Sequence, residues 1–81
     1  MEGIIHFFDS DFVAVETQPG IFTIIELFEE AELQIGGQLK WPDGVRGRLR
    51  IEICAAGSDF EGAIQYVGAT QAEIEMLLNT K

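Results

Sequence analysis

Positive charge is almost missing from the first half of this chain. Residues 1–39 hold eight Asp and Glu and neither Lys nor Arg. A surface built from them repels the phosphates of nucleic acids and anionic membranes at long range. Cysteine is nearly absent too: Cys54 stands alone, so no disulfide can form within the chain. A single thiol fits a reducing compartment better than a secreted scaffold. No histidine or cation motif surrounds it, so it reads as a small, half-buried apolar strand residue rather than a reactive nucleophile. No apolar run approaches the roughly 20 residues that a membrane-spanning helix needs. The opening Met1-Glu2-Gly3 has neither the basic start nor the long apolar run of a secretory signal, and Glu2 stands where a myristoylation pattern requires Gly. The expectation is a cytoplasmic protein with no membrane partner. The signatures G-x-S-x-G, P-loop and G-x-G-x-x-G are absent, and a small domain has little room for a deep pocket. No enzyme activity, cofactor or metal is therefore expected.

What remains is enough to fold. The chain of 81 residues is 47% hydrophobic, with a formal net charge of −9, which suits one domain over residues 1–81 with a packed core. A domain this small buries only about 60% of the surface its unfolded chain exposes. Without disulfides, a very good core or self-association has to make up the difference. The charge is segregated: Lys40, Arg46, Arg48 and Arg50 fall within eleven residues, against Asp43 alone.

Short β-branched and aromatic runs separated by turn residues dominate the chain. Gly3–Phe8, Phe12–Thr17 and Ile21–Phe28 read as three meandering strands, joined by Asp9-Ser10-Asp11 and by Gln18-Pro19-Gly20. Glu29–Gln34 is acidic and long enough for one helical turn at most. Beyond Gly36-Gly37, Gln38–Trp41 reads as a fourth strand, and Trp41-Pro42-Asp43-Gly44 as a hairpin loop. The fifth, Val45–Ala55, alternates most clearly: Val45, Leu49, Ile51 and Ile53 on one face, Arg46, Arg48, Arg50 and Glu52 on the other. Residues 56–62 read as a loop and 63–68 as a sixth strand. Thr70-Gln-Ala-Glu73 has the form of a capping box. It introduces an apolar stripe of Ile74, Leu77 and Leu78, predicting a helix over 71–79 that docks on the sheet or plugs a barrel end. The fold expected is mainly β: a five- to six-stranded antiparallel barrel over residues 3–68, OB- or SH3-like, with a short C-terminal helix.

Gly3-Ile4-Ile5-His6-Phe7-Phe8-Asp9 and Leu33-Gln34-Ile35-Gly36-Gly37-Gln38-Leu39 resemble the corresponding parts of cold-shock domains, a family of small OB-type barrels. In that family aromatic and basic residues on the second and third strands stack single-stranded bases. The resemblance implies such a role for Phe12 and Phe22, here with no lysine or arginine beside them.

Four groups of residues are candidates for function. Lys40, Trp41, Arg46, Arg48 and Arg50 could bind an anion, stacked bases or an acidic partner. The competing reading is a solvated strand face whose arginines pair with glutamates on the next strand. Phe22, Ile24 and Phe28 make the third strand apolar on its second face. Either the C-terminal helix or a second copy of the chain must cover them. Glu26, Glu29, Glu30 and Glu32 form an acidic run without the spacing of a calcium loop. His6, in an apolar strand with no second histidine, is expected to be satisfied by one hydrogen bond rather than to bind metal. The leading expectation is a non-enzymatic interaction module that self-associates as a homodimer and binds a protein partner. Single-stranded nucleic-acid binding through the Lys40–Arg50 patch is the alternative. An acidic inhibitor that mimics nucleic acid is the third.

Overall fold

Alternation of inward and outward side chains builds the barrel. The computed structural model describes residues 1–44 and 47–78. It contains β1 (Glu2–Phe8), β2 (Phe12–Gln18), β3 (Ile21–Leu27), β4 (Gln38–Lys40), β5 (Arg48–Ile53), β6 (Ser58–Ala69) and the helix α1 (Gln71–Leu78). The strands close in the order β1-β2-β3-β6-β5-β4, and every neighbouring pair is antiparallel. Two three-stranded meanders thus meet along two seams, β1 against β4 and β3 against β6. Closure removes the free edges through which an open sheet aggregates. Six strands is the upper of the two counts expected, one more than an OB barrel has.

Inside lie Ile5, Val13, Val15, Ile25, Leu39, Leu49, Ile51 and Phe60, all buried in one cluster with Leu33 and Trp41. Each takes the inward position of its strand, and facing residues meet in register: Ile5 with Val15, Val13 with Ile25, Ile51 with Phe60. Irregular register at Ile5/Phe7, Glu16/Gln18, Phe22/Thr23 and Ile24/Ile25 marks bulges. Bulges bend and twist strands, as closure of a small barrel requires. The loop between β3 and β4 is bound to the barrel. Ile5 donates to the Gly37 carbonyl and Gly36 donates to that of Ile5, both at 2.8 Å. Leu33 enters the core.

β6 is longer than expected. Ser58–Gly62 reads as a loop because Ser, Asp and Gly dominate it. In the barrel the same residues alternate, with Asp59 and Glu61 outward and Phe60 inward. The turn is confined to the residues before Ser58, where Gly57 has a φ of 65°. At Gly62 the strand passes from one partner to the other, facing Leu49 on β5 and Leu27 on β3. A Cβ there would stand 2.6 Å from the Glu26 carbonyl oxygen and 3.1 Å from the Ile51 side chain. Only glycine permits that approach. β5 ends at Ile53, short of Ala55, and its described part begins at Arg48; Val45 and Arg46 lie outside the described residues. No helical turn forms over Glu29–Gln34.

α1 starts where the capping signal puts it. The Glu73 amide donates to the Thr70 hydroxyl at 3.4 Å, and that hydroxyl donates to the Glu73 carboxylate at 3.2 Å. Of the expected stripe, Ile74 is buried on the outer barrel wall against Ala14, Phe22, Ile24 and Ala69. The side chains of Leu77 and Leu78, and Asn79, lie outside the described part.

Candidate functional site

The arginine row forms, but it is not a free cationic surface. Arg48 and Arg50 project outward from β5, facing Ala63 and Glu61 on β6. Arg48 approaches Glu61 at 3.5 Å and lies over the Phe28 ring, 4.7 Å from its centroid. Arg50 is held between Asp59 and Glu29, the latter at 3.2 Å. Its pKa is raised, first by the hydrogen bond to Asp59. Lys40 on β4 is exposed and faces Glu52 across the β4–β5 pair. Arg46 lies outside the described residues. A shallow cleft of about 450 Å³ brings Lys40 and Arg50 together with Glu2, Glu52 and Asp59. Three carboxylates stand against Lys40, Arg50 and the Met1 ammonium, so the cleft carries no excess of positive charge for an anion.

Trp41 is not on that face. It is 7% exposed and belongs to the core cluster. Leu39 points in, Lys40 out and Trp41 in, so the alternation that exposes the lysine buries the indole. Trp41 lines the same cleft as Lys40 and Arg50, but its burial leaves no free indole face there on which a base could stack. The two phenylalanines that the cold-shock resemblance assigns to stacking are also occupied. Phe22 lies under Ile74, 3% exposed, with the His6 ring edge-on at 5.1 Å, and Phe12 packs half-buried against the same cluster.

The second apolar face of β3 is covered within the chain. Ile74 of α1 seals Phe22 and Ile24, so of the two covers open from the sequence the helix supplies the one seen. Phe28 is exposed at the end of β3, beneath Arg48. α1 is tied to β6 by a hydrogen bond between Tyr66 and Glu73, which raises the Tyr66 pKa above its ordinary value of 10.0; the Glu73 charge and partial burial push the same way. A raised tyrosine pKa favours the folded, protonated form below pH about 10 and loses that contribution as pH rises through the shifted value. Absorbance titration of Tyr66, the one tyrosine in the sequence, should therefore have its midpoint above 10. Glu73→Gln should bring the midpoint down; an unmoved midpoint would place another group beside the phenol.

His6 Nε2 lies 3.1 Å from the Glu16 carboxylate. Cys54 is half-buried just after β5, and its amide donates to the Gln38 carbonyl. Among the described residues no group of three or more His, Cys, Asp and Glu is placed to hold a metal ion, and no helix is long and apolar enough to cross a membrane.

Three residues of the acidic run, Glu29, Glu30 and Glu32, belong to a cleft at one end of the barrel whose apolar floor the sequence reading missed. There the β1–β2 turn and the loop after β3 frame a cleft of about 610 Å³. Phe8, Leu27 and Ala31, all half-buried against the core, make its apolar floor, and Asp9, Glu29, Glu30 and Glu32 rim it. The rim carboxylates differ in what they already do. Asp9 accepts from the Asp11 and Phe12 amides at 2.8 Å, holding the turn. Glu29 accepts from the Glu61 amide at 2.7 Å and meets Arg50, holding the loop. Glu30 and Glu32 are exposed, with no lysine or arginine in the lining. The signal in the sequence was the interleaving of Ala31 and Leu33 with the acids, the mark of a segment lying on a core.

Comparison with protein-family models, curated proteins and solved structures gives no match.

Proposed function

We propose that this barrel is a non-enzymatic interaction module that receives a basic segment of a protein partner at the acid-rimmed cleft. The observation that carries the reading is the pairing of an apolar floor, Phe8, Leu27 and Ala31, with a rim that carries carboxylates and no described cation. A lysine- or arginine-bearing segment with one or two apolar anchors matches both properties. Its charges steer the approach and its anchors supply the burial. The arginine row does not favour single-stranded nucleic acid, since Arg48 and Arg50 already face acids. A nucleic-acid mimic is also less well supported, because outward carboxylates are spread over β2, β3, β5 and β6, as Glu16, Glu26, Glu52 and Glu61.

Calorimetric titration tests the reading with a Lys/Arg-rich peptide containing two leucines and with the same peptide bearing serines in their place. The leucine peptide should bind more tightly, and higher salt should weaken it. The double variant Glu30→Lys/Glu32→Lys should lower its affinity by about tenfold or more without changing the circular dichroism spectrum. Equal binding to wild type and variant would remove the cleft from consideration. Saturable, salt-sensitive binding of a single-stranded homopolymer instead would return the arginine row to it.

A further inference from the structure

The opposite end of the barrel, where β1 and β3 begin and β6 ends, carries a second cleft of about 480 Å³. Trp41, Pro42, Ile64, Tyr66 and Val67 wall it, and Thr23 lies at its base. Two features set it apart from an ordinary crevice. Thr23 is 1% exposed, the one buried polar residue among the described residues, and its hydroxyl has no hydrogen-bond partner. Its neighbours across the sheet in register are Val15 and Val67, which have the same shape without the hydroxyl. An unpaired buried hydroxyl destabilises a fold, and valine would fill the place without that cost. At the mouth, Val67 is 66% exposed and Tyr66 46% among the described residues.

We infer that this cleft binds a small uncharged molecule with an apolar ring or branched chain and one hydrogen-bonding oxygen. The oxygen pairs with the Thr23 hydroxyl, and the apolar part lies against Trp41, Pro42 and Val67. Rotation about χ1 carries the hydroxyl to another staggered position without backbone movement. A hydroxyl both donates and accepts, so an alcohol, phenol, ketone or amide oxygen serves equally. The apolar walls are joined by a few polar groups, Asp43, Gln65 and the Met1 terminus besides Thr23, and the volume lies within the usual range of about 300–1,000 Å³ for a small-molecule site. Asp43 and the Met1 ammonium bring opposite charges to the rim, which suits an uncharged ligand.

Trp41 is the sole tryptophan in the sequence and lines the cleft, so its emission reports occupancy directly. The probes are benzyl alcohol and, as the partner without oxygen, toluene, titrated into the intact chain and into Thr23→Val. Benzyl alcohol should change the emission saturably, with affinity about fivefold weaker in Thr23→Val. Toluene should bind the variant at least as well as wild type. In the absence of probe, Thr23→Val should raise the melting temperature by about 4 °C or more. A non-saturating response, equal effects of the substitution on both probes, or a lower melting temperature in the variant would each overturn the inference. The last would mean that the hydroxyl is already satisfied, by bound water or by the fold.

Discussion

Phe60→Ala is expected to remove about 3–5 kcal/mol of stability, the usual effect of deleting a fully buried aromatic ring. A domain of this length is stable by about 4–12 kcal/mol in total, so the variant should sit at or near the edge of unfolding at room temperature. Phe60 is 1% exposed and faces Ile51 across the β5–β6 pair. Among the buried members of its cluster the one other ring is Trp41, the rest being aliphatic, and Phe8 packs half-buried at the edge. A cavity at that place cannot be filled by small movements of Val13, Val15 or Ile25, because each is fixed by the ladder of its own strand. Urea denaturation followed by circular dichroism measures the loss, with Phe60→Leu as the milder control. A change under about 1 kcal/mol would put Phe60 outside the core. The first half of β6 would then be the surface loop its composition suggests, and the barrel would be open between β5 and β3.

That substitution probes the point where the sequence was hardest to read. Strands β1, β2 and β3 are legible because each is a short β-branched and aromatic run between clear turn signals, and the described part of β5 because it alternates strictly. The helix is legible because Thr70 and Glu73 mark its start. The start of β6 is not, because Ser58, Asp59 and Gly62 are turn formers by composition. Here the register of a closed barrel overrides their local preference, and Gly62 is present for the close approach of the Glu26 carbonyl rather than for a turn. Pairing between distant strands decides that, and no local window contains it. The same limit applies to the arginine row. Parity placed Arg48 and Arg50 outward, but their neutralisation by Asp59, Glu61 and Glu29 depends on which strand lies beside β5. The acid-rimmed cleft is likewise a product of closure, since it joins the end of β1 to the loop after β3. The cover of Phe22 and Ile24 was legible only as a choice between two, and one residue of α1, Ile74, decides it within the chain.

Trp41→Ala provides the second large effect, and it separates two meanings of a conspicuous aromatic beside a run of cations. As an interaction residue an exposed indole contributes to binding, and its removal leaves stability within about 0.5 kcal/mol. As a core residue at 7% exposure, packed in the cluster that contains Leu39 and Ile51, its removal should cost about 3–5 kcal/mol. Trp41→Phe, which keeps an apolar ring in place, should cost clearly less. Urea midpoints for the three proteins settle the order, with Arg48→Glu as the surface control. Arg48 lies 70% exposed at its side chain and pairs with Glu61 at 3.5 Å. Its reversal sets like charges together on the barrel wall, where water and salt screen them. The expected ranking places Trp41→Ala far below Trp41→Phe, with Arg48→Glu near wild type. A Trp41→Ala variant as stable as wild type would move the indole back to the surface. It would also remove one wall from the cleft above Thr23, because a ring that contributes nothing to the core has no fixed place from which to line it.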